Sequence, residues 1–387
     1  MKITGYRLIS TTLDWGRPVG DVNGFIDSGV TAVPIVIVET DEGVEGIGMG
    51  MHDGIPQIFE AIEGEDPRAT SALYDRMISR MFKNGHGGAV FGGIGALDSA
   101  LWDIKAKLAG EPLWRLLGGR DRFVPGYASG LDIALDSAAL GHYYSTMRDR
   151  GFTAAKLKGG RDFRHDAGRL ELVRDVLNEA TDDPVLMLDA NESWNAPQAI
   201  RYIAHLQEQV ELAWVEEPLR RWDASGLRRL RDCVSPAIAT GENLTGLEQY
   251  RALFDAQAVD IVQSSAVWGV SHALRVAVAA HSRDLPVSPI GMTSNYAVFH
   301  AATALPNHLL TEVTSLQTPA GVTVDYEVSD GGIVLGDSPG GGVSLDPSIE
   351  VGSTDFVWGG QGGPHVRSSR AGLELGVRLG ATKRGAE

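Results

Sequence analysis

Ala155-Lys156-Leu157-Lys158-Gly159-Gly160, Leu186-Met187-Leu188-Asp189-Ala190-Asn191, Trp214-Val215-Glu216-Glu217-Pro218 and Ala239-Thr240-Gly241-Glu242-Asn243 follow one another along the chain, each pair separated by room for one helix. Each is a short apolar run that ends in charge, which is how a strand reads when its far end opens onto solvent or a ligand. Working outward, similar runs stand at Val124-Tyr127, Ala213-Glu216, Ala237-Thr240, Asp260-Gln263, Pro286-Ser288 and Leu309-Glu312. With Ala154-Lys158 and Val185-Asp189 they make eight strands alternating with amphipathic segments, the pattern of a parallel βα sheet. Eight strands suit a closed TIM-type barrel. A doubly wound open sheet is the other arrangement, but no Gly-x-Gly-x-x-Gly follows the first strand, which argues against a dinucleotide-binding version of it.

The chain before this region has another texture. Ile35-Val36-Ile37-Val38-Glu39-Thr40, Asp41-Glu42-Gly43 and Val44-Glu45-Gly46-Ile47-Gly48 read as strand, turn and strand. Helical spacing follows at about 55–63, 67–82 and 93–109, the last carried by Ile94, Leu97, Leu101, Ile104 and Leu108. The expected organisation is an α+β capping domain over 1–122, the barrel over 123–320, and a glycine-rich segment of loops and short strands over 321–387 that packs back on the capping domain.

Composition narrows the function. Against 34 Lys and Arg stand 50 Asp and Glu, a formal charge of −16 with no basic run, so nucleic acid and anionic membrane are poor partners. The single Cys233 leaves no intramolecular disulfide and no Cys-rich metal site. No stretch approaches a membrane span, and Met-Lys-Ile-Thr-Gly-Tyr-Arg at the start lacks the apolar core of a signal peptide, so a soluble, cytoplasmic protein is expected. The 48 glycines are scattered among apolar runs, which reads as many tight turns.

Reactive groups of a βα barrel sit at the C-terminal ends of its strands. Alternation along the second strand puts Lys156 and Lys158 on one side and Leu157 on the other. On the next three strands Asp189, Glu216 and Glu242 fall side by side, and three converging carboxylates repel unless a hard divalent cation binds them. No Cys or His stands among them, which favours Mg²⁺ over Zn²⁺. Lysines beside a carboxylate-bound cation suit removal of a proton next to a substrate carboxylate, with Lys158 as base, Lys156 as its neighbour, and the Lys158 pKa expected to be lowered.

In these motifs, and in Thr40-Asp41-Glu42-Gly43-Val44-Glu45-Gly46, Ala96-Leu97-Asp98-Ser99-Ala100-Leu101-Trp102-Asp103-Ile104-Lys105 and Leu116-Leu117-Gly118-Gly119, the chain resembles the enolase superfamily, in its mandelate racemase-like group of acid-sugar dehydratases and racemases. The resemblance covers nearly the whole chain. It implies a capping domain closed over a modified (β/α)₇β barrel, Mg²⁺ on Asp189, Glu216 and Glu242, a supporting role for Glu217, and a small anionic carboxylate as substrate. It also implies that Glu312 helps bind the substrate carboxylate, and that the protein is a symmetric homo-oligomer, from dimer to octamer. Asn191 and Trp15 are the further contacts expected for the substrate.

The resemblance breaks at two positions. Where the group's sixth strand carries an Asp this chain has Ser265, and where the seventh carries a His it has Ile290; Asp260 stands too early to substitute. Racemisation needs a second acid/base on the opposite substrate face, whereas β-elimination of water needs one base and help for the leaving hydroxyl. Dehydration to a 2-keto acid is the expected reaction, an epimerase or cycloisomerase the alternative, and a non-catalytic carboxylate-binding protein a third reading. His52, Lys83 and His86 of the capping loops are candidates for the missing acid, Gly85, Gly87 and Gly88 suggest a mobile loop, and His300 is expected to be a packed structural histidine.

Overall fold

The computed structural model describes residues 1–83 and 85–349; the glycine cluster Gly359–Gly363 lies outside them. Five strands open the chain: β1 (Ile3–Asp14), β2 (Val19–Asp21), β3 (Gly24–Ile26), β4 (Val30–Thr40) and β5 (Gly46–Met49). β1, β4 and β5 form an antiparallel sheet, and β2 and β3 a separate hairpin. The expected strand, turn and strand is β4 and β5, in the register Ile35↔Met49 to Val38↔Gly46. β1 is the addition. Its apolar signal is thin, with Ile3, Ile9 and Leu13 buried among polar residues, and eleven paired positions with β4 define it.

Helices α1 (Ile55–Phe59), α2 (Thr70–Met81), α3 (Ala89–Ala109) and α4 (Leu113–Leu116) complete this part. α3 starts before the expected 93 and runs through Gly92, Gly93 and Gly95, residues poor in helix propensity. Tertiary packing explains it. A Cβ on Gly95 would stand 2.3 Å from the Val267 carbonyl oxygen, and one on Gly48 of β5 would stand 1.9 Å from the Ala96 carbonyl oxygen. Only glycine lets the helix press on the sheet and on the neighbouring barrel loop at once.

The barrel alternates β6 (Phe123–Ser129), α5 (Ser137–Arg148), β7 (Ala154–Lys158), α6 (Phe163–Leu177), β8 (Val185–Asp189), α7 (Ala196–Gln207), β9 (Trp214–Glu216), α8 (Ala224–Arg231), β10 (Ala237–Thr240), α9 (Leu247–Asp255), β11 (Ile261–Ser265), α10 (Val270–His281), β12 (Val287–Ile290), α11 (Ala297–Ala302) and β13 (Thr311–Val313). The eight strands are parallel and consecutive, β13 pairs β6, and a bridge from Val287 to His308 joins β12 to the residues before β13. This is the (β/α)₇β barrel. The open-sheet alternative is excluded.

Inward side chains form two layers. Tyr127, Ala154, Met187, Trp214, Ala239 and Ile261 pack as an apolar plug, and the charged strand ends lie one step nearer the C-terminal mouth. Outward residues such as Leu157, Leu188 and Val215 pack beneath the helices.

After the barrel come β14 (Val322–Val324), β15 (Tyr326–Ser329), β16 (Gly332–Leu335) and β17 (Val343–Leu345). This stretch contacts both parts of the molecule. β16 pairs antiparallel with Phe123–Pro125 of β6, while the Leu113 and Gly341 N–H groups bond to the Gly340 carbonyl (2.8 Å) and Asp103 Oδ1 (2.7 Å) respectively.

Candidate active site at the barrel mouth

Register brings the charged residues together. Lys158 of β7 is the Cα partner of Asp189 on β8, which is the partner of Glu216 on β9, so three side chains in one row face inward. Glu242 stands just past β10, and one carboxylate oxygen each from Asp189, Glu216 and Glu242 lies within 4.8 Å of the others. Lys156, fully buried, pairs with Glu216 and lies 3.0 Å from Glu312 and 3.7 Å from Asp189. Its ammonium also sits 5.3 Å from the centre of the Tyr127 ring. Lys158 pairs with Asp189 and is the lysine of the two that retains some exposure.

Two lysines here face four carboxylates, Asp189, Glu216, Glu242 and Glu312, so the layer carries excess negative charge. Burial, with repulsion from Asp189 and Glu242 opposed by Lys156, pushes Glu216 up to about 8; burial and Asp189 push Glu242 up to about 7. Burial also raises Asp189, but Lys158 and Lys156 outweigh it and hold that acid below its usual range. An all-oxygen, partly repelling donor set fits a hard divalent cation.

The charge state of the lysine base depends on the acids around it. Burial pulls the Lys158 ammonium down, but the charge of Asp189, with Glu312 and Glu242, outweighs both burial and Lys156, and the net shift is upward. The lowered pKa was expected from the Lys156 neighbour and a bound cation together, whereas the protein groups by themselves act in the upward direction. The charges that raise Lys158 include those of the three clustered acids, which a shared cation would offset.

Other anticipated residues divide into those at the mouth and those away from it. Glu217 is buried with positive φ, and burial and the charge of Glu242 lift its carboxyl well above the carboxylate range; Asn243 Nδ2 donates to it at 2.9 Å. Asn191 is buried, its N–H donating to Asp189 Oδ1 (2.8 Å) and its carbonyl accepting from Asn23 Nδ2 (3.2 Å) of the β2–β3 turn. Ser265 and Ile290 are direct partners at the ends of β11 and β12, both buried, so the missing Asp and His have no replacement at those two positions. Glu312 accepts the Gly291 N–H at 2.9 Å.

His52 is buried against β4 with Nε2 3.0 Å from the Ile35 carbonyl, and burial lowers its pKa. Lys83 is exposed at the end of α2 beside Arg80 and Phe82, and His86 Nε2 lies 2.9 Å from Glu248 on α9. His300 is buried in the packing, as expected of a structural histidine.

Above the mouth a cleft of about 200 Å³ separates the capping strands from the barrel loops and contains Trp15 in its wall. Sequence reading missed the groups that support Lys158. Its N–H donates to Asp132 Oδ1 (3.1 Å), its carbonyl accepts from Arg169 Nη1 (2.5 Å), and Gln263 Nε2 donates to Glu216 Oε2 (2.5 Å). It also missed Asp21 of β2, a buried acid whose carboxyl burial raises and Lys158 lowers. Asp132 in a loop, Arg169 within α6, and Gln263 and Asp21 on the strands β11 and β2 belong to no readable motif.

Residues 140–349 match the family described as enolase C-terminal domain-like, and residues 27–118 the mandelate racemase / muconate lactonizing enzyme N-terminal domain. The chain belongs to the enolase superfamily, in its mandelate racemase and muconate lactonizing enzyme group. It is 33% identical to the L-talarate/galactarate dehydratase of Salmonella typhimurium, over 73% of this chain and 75% of that protein. It is 32% identical to the 3,6-anhydro-alpha-L-galactonate cycloisomerase of Streptomyces coelicolor, over 80% and 88%. Among solved structures, the L-talarate dehydratase of a Polaromonas species complexed with Mg and L-glucarate superposes with a TM-score of 0.78 at 29% identity, covering 90% of this chain and 96% of that one. In the described residues no helix is long and apolar enough to cross a membrane.

Proposed function

We propose that this protein is a Mg²⁺-dependent lyase that removes the α-proton of a 2,3-dihydroxy carboxylate and expels the β-hydroxyl as water, giving a 2-keto acid. The observation that carries the reading is one-sided chemistry. Lys158 reaches the mouth over three carboxylates, and Ser265 and Ile290 occupy the strand ends where a second acid/base would stand.

Asp189, Glu216 and Glu242 would hold the cation. When bound, Mg²⁺ supplies a positive centre for the substrate carboxylate and offsets the charge that develops as the α-proton leaves. Lys158, as the neutral amine, takes the C2 proton, and the C2–H electron pair forms the C1–C2 enediolate. As the C2–C3 double bond forms and the C3–O bond breaks, the Lys158 ammonium returns that proton to the departing hydroxyl, which leaves as water. The enol becomes the ketone by gaining a proton at C3 and losing the one on the C2 oxygen. Lys156 stays an ammonium among Glu216, Glu312 and Asp189 and contributes fixed positive charge beneath the enediolate. One base serves both proton transfers, so no opposite-face partner is needed.

A ring ether in place of the β-hydroxyl would make the same step a ring opening that conserves mass. Similarity to a cycloisomerase over 80% of this chain favours that second reading.

Proton NMR in D₂O with Mg²⁺, on a panel of sugar acids and smaller dihydroxy acids, tests both. Loss of the C2 proton with formation of a 2-keto acid, abolished in Lys158→Ala and by chelation of the metal, is the expected result. Deuterium at C2 or a new epimer without elimination would overturn the lyase reading.

A further inference from the structure

The cleft above the mouth is lined by Leu13, Trp15, Val33, Met51, Leu131 and Val267, with Thr31, Thr293 and Ser294 as its hydroxyl-bearing residues, and among the described residues no charged side chain lies in its wall. Thr31 is engaged, its hydroxyl oxygen accepting from Trp15 Nε1 at 3.0 Å. At about 200 Å³ the cleft suits one substituent of a ligand. It belongs to the same end of the barrel as the lysines and acids. Leu131 follows β6, Val267 lies two residues past Ser265, and Thr293 three past Ile290, so the cleft stands over the β6, β11 and β12 side of the mouth.

The neighbouring cations are directed elsewhere. Arg17 lies 4.5 Å over the Tyr143 ring and donates to the Gly130 and Pro18 carbonyls; Arg161 Nη2 donates to the Val22 carbonyl at 3.1 Å. A second carboxylate would find no cation among the described residues of this wall, and a row of hydroxyls would find few side-chain partners there besides Thr293 and Ser294, at a cost in affinity for each group left unpaired. A substituent made of carbon and hydrogen would gain by leaving water.

We infer that the substrate is a monocarboxylic 2,3-dihydroxy acid whose carbons beyond C3 form an apolar group seated in this cleft. The inference rests on the lyase reading and departs from the sugar acid bound by the Polaromonas relative. It predicts that (2,3)-dihydroxyhexanoate, in the stereoisomer accepted at C2 and C3, is turned over with a kcat/KM at least about tenfold above the six-carbon aldonate and aldarate of the same configuration.

The experiment compares these three acids with Mg²⁺ by NMR in D₂O and, separately, by calorimetric binding. Met51→Gln, which keeps the length of the side chain, and Val267→Thr, which keeps its shape, are expected to reduce the preference for the alkyl acid several-fold. Equal or better turnover of the aldonate or aldarate overturns the inference and leaves the lyase reading standing. Silence by NMR with tighter binding of the alkyl acid supports the apolar subsite and ends the lyase reading. Silence with equal binding, or with none, overturns the inference as well. An unaltered preference in both variants would also overturn it.

Discussion

Arg169 governs how Lys158 is held, although it touches no reacting atom. Its guanidinium donates to the Lys158 carbonyl at 2.5 Å and to the Asp132 carbonyl at 2.9 Å, while Asp132 Oδ1 accepts the Lys158 N–H at 3.1 Å. The Tyr144 hydroxyl reaches both Asp132 Oδ2 and the Lys156 carbonyl at 2.7 Å, so both lysines are tied to one buried network. A base displaced by an ångström loses much of its reactivity. Arg169→Met is therefore expected to lower kcat roughly 10- to 100-fold with the Mg²⁺ affinity little changed, and to cost about 3 kcal/mol of stability because the buried Asp132 carboxylate loses its counter-charge and keeps only the Lys158 N–H and Tyr144 hydroxyl as donors. Single-turnover kinetics, metal titration and urea unfolding read the three quantities, and loss of Mg²⁺ binding would show that Arg169 supports the whole mouth. Arg169→Lys restores charge without the planar fork, and an intermediate kcat is expected. At this scale the lysines and acids were legible because strand ends carry them at a regular interval. Arg169 and Asp132 were not, since a helix-interior arginine and a loop aspartate resemble ordinary surface charge until the fold buries them.

The α3 and α10 helices join the capping part to the barrel. α10 begins at Val270 after Gly269 and has no side-chain cap of its own. Asp98 of α3 supplies one from across the junction, its Oδ2 accepting the Ser271 N–H at 2.7 Å and its Oδ1 the Ser271 hydroxyl at 2.5 Å. A carboxylate at a helix N-terminus also meets the positive end of the helix dipole. Ser99 on the same helix accepts from Asn295 Nδ2 at 2.7 Å, which ties the loop before α11 to α3. Asp98→Ala is expected to destabilise the protein by about 1–3 kcal/mol, measured as a shift in the urea midpoint at constant m. A fall in m would instead mean that the two parts unfold separately. The sequence showed α3 from its leucine and isoleucine spacing but placed its start at about 93, four residues past the observed Ala89, because the regular apolar spacing begins at Ile94. Close approach to β5 and to the loop after β11 is what makes the glycines of α3 compatible with helix.

The whole molecule contains histidines that must stay neutral. Burial lowers His300 to about 4, and its Nδ1 accepts the Trp114 N–H at 3.2 Å, a contact available only to the unprotonated ring. Burial likewise lowers His272, between α9 and α3, to about 3. Between the unfolded pKa near 6.5 and these values the unfolded chain binds protons that the folded one refuses, so stability rises with pH there and falls on acidification. Each histidine contributes a slope of about 1.4 kcal/mol per pH unit in its window. The raised carboxyls Glu216, Glu217 and Glu242 act in the opposite sense over part of this range, so the histidine share is read by difference: His300→Asn, which keeps an acceptor and does not titrate, is expected to lose less stability, read as melting temperature, than the parent chain on going from pH 6.5 to 4. An unchanged slope in that variant would assign the acid sensitivity to other groups. By itself the sequence determined the βα alternation, the capping strand pair β4 and β5 and the order of charged strand ends, because periodicity and strand-end chemistry are local. Only the tertiary structure decided which acid meets which lysine, that the net shift on Lys158 is upward, and that the cleft is apolar, because those properties arise between residues far apart in the chain whose burial and charges act on one another only when the barrel closes beneath the cap.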